Sequence, residues 1–243
     1  MFIYFLYRKY VPLINYYQIA IFIYEFIILL LMENPKIIEF VGYSGVGREY
    51  VAASISKQLL EDHPEIKDQF KIECSGTHIF SLNANEDQMI NYMRKILHRA
   101  KKLGIFDNDQ EKNLEFALGI NNFSVISEAY KEILPQLKEQ EKEYLSEAMK
   151  SLGVEKLDDY QQRQTSNLIN ARHIFCMEKD NLNVVNKIYL NNLMSPKIEL
   201  LEHFGDKIEG SFGKTSGHYK IMTRQIRDSV YDRLPDVIQR LSN

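Results

Sequence analysis

Lys36-Ile37-Ile38-Glu39-Phe40-Val41-Gly42-Tyr43-Ser44-Gly45-Val46-Gly47-Arg48-Glu49 is the stretch whose reading decides the fold. An apolar run of strand length, Lys36 to Val41, breaks into a glycine-rich loop, and an alanine-rich segment of helical period follows from Tyr50 to Leu60. Strand, glycine loop and helix in that order build a phosphate cradle. Glycines let backbone N–H groups turn inward, the helix start adds partial positive charge, and Arg48 offers a bidentate fork. Gly42, Tyr43, Ser44, Gly45, Val46, Gly47 and Arg48 are therefore the candidate phosphate-binding residues. Loop geometry alone does not name the phosphate.

Downstream, Pro64 closes a turn and Phe70 to Cys74 reads as a second short strand ending in Ser75-Gly76-Thr77. Strand, helix, strand at this spacing is a βαβ unit with a right-handed crossover, so the sheet is parallel and the loops at its carboxyl strand ends form the site. From His78 to Leu134 the pattern is helical only. Met89, Ile90, Met93, Ile96, Leu97 and Ala100 share one face, Gly104 ends that run, and Phe123 to Leu134 forms another helix up to Pro135. This is expected to be a helical insertion covering the sheet or presenting a partner surface, with His98 on its exterior. A charged helix follows from Gln136 to Leu152, stopped by Gly153, and a polar connector runs from Glu155 to Asn170. His173 to Met177 and Lys197 to Leu201 read as third and fourth strands, with a helix from Asp180 to Leu193 between them. The loop Ile208 to Gly213 precedes a long last helix, Gly217 to Leu241, which Pro235 is expected to kink or restart.

The chain has 243 residues, 26% charged and 45% hydrophobic, with a net charge of -3, an ordinary globular balance. Basic residues are interspersed with acidic ones, so no nucleic-acid partner is expected. Two cysteines, Cys74 and Cys176, make no disulfide framework and suit a reducing cytoplasm. Nothing in the pattern calls for a metal or a cofactor. The segment 1–31 is the exception in composition: Val11 to Met32 carries a single charge, Glu25, in a run just long enough to cross a bilayer. Three readings stay open for it: a start truly at Met32, a membrane anchor, or a helix packed on the domain. As an anchor it fits poorly, because Arg8 and Lys9 would place the following domain outside.

Two families bear on the loop. Gly42-x4-Gly47-Arg48-Glu49 has Walker A spacing, but Arg48 stands where a lysine should reach the phosphates and Glu49 where a hydroxyl should hold Mg²⁺, with Glu178 as a Walker B-like acid. The stretch also resembles the loop of the low-molecular-weight protein tyrosine phosphatase and arsenate reductase family, Cys-x5-Arg-Ser after the first strand. Further along, Cys74-Ser75-Gly76-Thr77 resembles its Ser-Ala-Gly-Thr, and Ala148 to Val154 its Met-x-x-x-Gly-Ile helix end. Arg163-Gln164-Thr165 resembles its connector, Ala171 to Leu182 its Ala-Asp-x-Ile-x-x-Met-x-x-x-Asn-Leu stretch, and Phe212-Gly213 with Tyr219 to Leu234 the segment after its Asp-Pro. The order of these matches, over Lys36 to Thr77 and Ser146 to Leu241, is what makes the resemblance specific.

The resemblance implies a flavodoxin-like three-layer sandwich: a parallel sheet of about four strands in the order 2-1-3-4, within a phosphatase-like domain over residues 32–243, carrying a helical insertion at about 78–145. It also implies phosphoryl transfer to a loop thiolate with a late-loop Asp as general acid. Here the nucleophile position is Gly42, the acid position is Gly210 followed by Ser211, and Glu49 replaces the supporting hydroxyl. The expectation is thus a degenerate member without standard turnover, binding phosphate or a phosphoprotein, or acting through the insertion on a protein partner. An active phosphatase or arsenate reductase using Cys74 or Cys176 as a relocated nucleophile is the enzyme alternative, with Asp206 and Glu209 as nearby loop acids and His218 and Tyr219 without evident partners. Nucleotide binding is a further alternative. Glu49 has two possible orientations. Pointing inward it fills the anion seat, where like charges about 4 Å apart repel by roughly 4 kcal/mol at a dielectric of about 20; pointing outward it leaves the seat open.

Overall fold

Strand β1 (Lys36–Gly42) is buried on both faces from Ile38 onward, in keeping with its largely apolar run, with Glu39 buried in its middle. It pairs in parallel with β2 (Phe70–Gly76) on one side and β3 (Ala171–Cys176) on the other, and β3 pairs in parallel with β4 (Lys197–Leu200). The sheet order is β2-β1-β3-β4, the flavodoxin-like order that the resemblance implied. The computed structural model describes residues 35–43, 47–77, 86–104, 107–120, 122–154, 171–190 and 195–243, with residue 21. The loop centre Ser44 to Val46, the connector 155–170 and, apart from residue 21, the apolar segment 1–31 lie outside the described residues. Among the described residues no helix is long and apolar enough to cross a membrane.

One face of the sheet carries Ile38, Phe40, Ile72 and Phe175, packed against α1 (Arg48–Glu61) and the last helix, α6 (Ser216–Ser242). Phe40 and Phe175 stack with ring centroids 5.3 Å apart. Burying each such ring contributes about 1.5–3 kcal/mol, which makes this pair a main tie between neighbouring strands. Val41, Ile174 and Cys176 point to the other face, where α5 (Lys179–Tyr189) covers them with Val185 and Tyr189. Numbered in chain order, α2 (Glu86–Leu103), α3 (Asn108–Gly119) and α4 (Phe123–Lys150) lie between β2 and β3.

The insertion has its own core, in which Ile90, Met93, Ile96, Leu97 and Ala100 of α2 meet Ile126, Ile133 and Leu137 of α4. One expectation about its helices needs correcting. Pro135 does not separate two helices, because α4 is continuous from Phe123 to Lys150. An interior proline costs about 3 kcal/mol, but α4 buries Ile126, Ile133 and Leu137 in the insertion core and Leu145, Ala148 and Met149 in the main core. Apolar burial on both sides of the proline outweighs its lost ladder bond. The last helix, α6, does not restart at Pro235 but runs through it as one element. The sequence also hid a hairpin, β5 (Glu202–His203) and β6 (Asp206–Lys207), whose strands are too short to show any period.

Candidate functional site

The carboxyl end of β1 is braced before the loop begins. The Gly42 carbonyl accepts from the Thr77 amide at 2.9 Å, from Thr77 Oγ1 at 3.3 Å and from Asn181 Nδ2 at 3.1 Å, and Asn181 also donates to Thr77 Oγ1 at 2.9 Å. Asn181 comes from the first turn of α5 and is 2% exposed. It sits in the stretch that carries the family resemblance, so a sequence signal for it existed. Its service to the β1 end follows only from the packing of α5 against β1 and β3.

Glu49 takes the inward orientation. It is 2% exposed in the first turn of α1, and its carboxylate lies over Gly42. A β-carbon on Gly42 would stand 2.1 Å from Glu49 Oε2, 2.2 Å from its Cδ and 2.6 Å from Oε1, far inside van der Waals contact. The absent side chain at 42 and the carboxylate at 49 therefore occupy one space. A helix N-terminus favours negative charge, which is the physical reason for the carboxylate to turn toward the loop.

Arg48 is turned away from a free anion seat. It is 9% exposed, donates through Nη1 to the Ile208 carbonyl and pairs through Nη2 with Glu178. Lys207 stands 3.6 Å from the other Glu178 oxygen. Burial pushes the Glu178 carboxyl up, but Arg48 and Lys207 outweigh it and hold the group below the usual carboxylate range. Glu178 is thus committed to Arg48 and Lys207. A β-carbon on Gly210 would lie 3.6 Å from the Arg48 guanidinium, so the late loop closes over that guanidinium without offering a carboxyl group from position 210.

Above the loop lies a cavity of about 700 Å³, whose far wall is the insertion. Tyr43, Arg48 and Glu49 line it from the core, Tyr92, Lys95 and Arg99 from α2, and Tyr130, Lys138, Glu141 and Lys142 from α4. Glu178 and Asp180 line it beside the start of α5, and Lys207, Glu209 and Lys214 from the late loop. Tyr43 and Tyr92 have ring centroids 6.0 Å apart, and Tyr92 and Tyr130 6.4 Å, so the three rings form one aromatic wall. Burial raises all three phenols, Tyr130 to about 12, and keeps them neutral at ordinary pH. Arg99 Nη1 donates to the Phe212 carbonyl at 3.0 Å, and Phe212 packs on the insertion core, which ties the late loop to α2. Glu141 is 9% exposed, and burial first, then the charge on Glu49, raises its carboxyl to about 8.

The cysteine sulfurs lie elsewhere. Cys176 is fully buried in the core under α5, where burial first and then Glu39 push its thiol well up. Such a thiol stays protonated, and a thiol is a poor nucleophile. Cys74 is half-buried on β2 opposite Phe40 and packs against the main core. Neither cysteine lines the cavity. Asp206 is exposed in the hairpin, whereas Glu209 reaches the cavity rim paired with Lys214 at 3.1 Å. His218 Nδ1 lies 2.9 Å from Thr215 Oγ1, Tyr219 is buried in the main core, and His98 is exposed on α2. Among the described residues no three His, Cys, Asp or Glu side chains gather as a metal would need. Lys138, Glu141, Tyr92 and Tyr130 were invisible as site residues, because Glu141 stands in the charged run Lys138-Glu139-Gln140-Glu141-Lys142 like any solvated helix position.

Comparison with known proteins finds no matching family model and no matching curated relative. Solved structures do match in shape. A low-molecular-weight protein tyrosine phosphatase from Streptococcus pyogenes is 11% identical, with 83% of this chain and 92% of that one covered and a TM-score of 0.45. A protein tyrosine phosphatase from Entamoeba histolytica is 11% identical, covering 83% and 97% with a TM-score of 0.47. A Drosophila arginine phosphatase is 17% identical, covering 83% and 97% with a TM-score of 0.48. Likeness at this level assigns no role to any residue.

Proposed function

We propose that this chain is a low-molecular-weight phosphatase-like protein that does not turn over phosphate monoesters through a loop cysteine, and that its chamber binds an anionic ligand, a phosphate group or a phosphoprotein. The observation that carries the reading is the exchange at the loop: Gly42 brings no side chain, and the Glu49 carboxylate occupies the space over it. A carboxylate there opposes a dianion in the seat itself. The chamber wall beyond it is cationic. Seven lining side chains, Arg48, Lys95, Arg99, Lys138, Lys142, Lys207 and Lys214, face Glu49, Glu178, Asp180 and Glu209, while Glu141 is largely neutral at pH 7. In a chain of net charge -3, that local excess favours an anion. The insertion belongs to this site as its wall, so a protein partner would meet insertion and loop together.

The test is hydrolysis of an aryl phosphate by the full chain, with no turnover expected. Turnover abolished by Cys74→Ser or Cys176→Ser would overturn the reading. On the binding side, phosphate or vanadate should raise the melting temperature slightly, whereas ATP with Mg²⁺ should not, because Glu49 and the committed Glu178 leave no place for a metal-bound triphosphate.

A further inference from the structure

We propose that the Glu141 carboxyl, supplied by the insertion, is the hydrogen-bond donor that recognises an oxyanion in the chamber, so that ligand binding is linked to one proton. The proposal rests on the anion-binding reading above and adds to it the group that does the recognising.

Glu141 sits about two-thirds of the way along α4, 9% exposed, on the cavity wall. No hydrogen bond or ion pair reaches it among the described residues, although buried carboxyl groups are ordinarily satisfied. A β-carbon on Gly47 would stand 3.8 Å from Glu141 Oε1 and 3.7 Å from Glu49 Oε2, so the two carboxyl groups flank the loop's last glycine from opposite elements. The charged and titratable groups facing Glu141 are Glu49 from α1, Lys138 one turn earlier on α4, Tyr130 of α4 and Tyr92 of α2. Lys138 favours the carboxylate, but burial and Glu49 outweigh it, and the tyrosines are neutral. At neutral pH the group is therefore mostly a carboxylic acid, an O–H donor with no acceptor among the described residues.

An oxyanion completes this arrangement. One of its oxygens accepts from Glu141, and the Lys138 ammonium next to it supplies the charge. A cation would need the ionised carboxylate, and the surrounding basic wall opposes it. The ligand class is a phosphate, sulfate or carboxylate head group, free or carried on a larger molecule. The Tyr92 and Tyr130 rings offer the second kind an aromatic surface.

The experiment titrates the full chain with inorganic sulfate and, separately, with phenyl sulfate, neither of which changes charge between about pH 6.5 and about pH 9.5. With one required proton leaving near pH 8, sulfate affinity should fall about thirtyfold across that range. Glu141→Gln keeps a neutral donor, so the variant should bind at the lower pH within about threefold of wild type and lose the pH dependence. Glu49→Gln removes the repelling charge and should move the midpoint to lower pH. Tighter binding of phenyl sulfate with the same profile points to a carried head group, and equal binding to a free anion; both support the assignment. A wild-type affinity flat with pH, or an unchanged fall in Glu141→Gln, overturns it while leaving anion binding intact. Absence of sulfate binding by all the proteins at every pH overturns the anion-binding reading and this proposal with it.

Discussion

Buried ionisable groups gather toward both ends of the parallel sheet, and the two gatherings are built in opposite ways. Toward the amino ends of β3 and β4, His173 is fully buried, accepts from Arg240 Nη2 at 2.8 Å and holds Nε2 at 3.1 Å from Glu199. Glu199 in turn meets Arg233 at 3.0 Å and Lys197 at 2.8 Å. Burial drives the His173 pKa down to about 4, and Lys197, His173 and Arg233 hold Glu199 below the carboxylate range against its own burial. At the carboxyl ends, Glu141 lies near Glu49, a like charge, with a cavity in front of it and its pKa raised. Counter-charges surround the amino-end group, although His173 Nε2 itself makes no hydrogen bond, whereas Glu141 has a like charge and a cavity beside it.

The comparison breaks first if the amino-end cluster is not structural. His173→Ala removes the ring packed 4.3 Å from Phe175 and strands Glu199 and Arg240, so urea unfolding should show a loss of about 3–5 kcal/mol. The pH dependence has a definite sign. The folded pKa of His173 lies below its ordinary 6.5, so its contribution is complete above about pH 6.5 and lost as pH falls through about 4. A wild-type stability flat across that window would contradict the network.

The carboxyl end should behave inversely. Because the folded pKa of Glu141 is raised from 4.5 to about 8, its contribution is complete below about pH 4.5 and lost as pH rises through about 8. Glu141→Gln should then be more stable than wild type by roughly 1–3 kcal/mol near pH 9, with little difference near pH 5. Equal stabilities at both pH values would place Glu141 in water.

The smallest expected effect concerns the loop itself. Gly42→Cys puts a β-carbon into the Glu49 carboxylate, which must swing into the cavity, at a cost of roughly 1–2 kcal/mol. Adding Glu49→Ser should recover most of that loss, and a double-mutant cycle should report strong coupling. Additive effects would mean that the two positions do not share one space.

The βαβ start and the helices between β2 and β3 were legible because each has a local signature: a largely apolar run ending in glycine, or a 3.6-residue period. The helix ends were less so. Pro135 read as a break, since a local rule cannot weigh one lost backbone bond against burial contributed by residues far along the chain.

What the amino-acid sequence determined by itself is the strand-loop-helix frame, and a loop with no cysteine at 42 and a carboxylate at 49, because these are matters of residue identity and spacing. What only the tertiary structure decided is where that carboxylate points and what faces it. Glu49 turns over Gly42, Arg48 is taken by Glu178 from the end of β3, and Glu141, more than ninety positions along the sequence, closes the chamber from α4. Those contacts depend on which helix packs across which strand end, and on the field one buried charge exerts on another. Neither has any local trace in the order of residues.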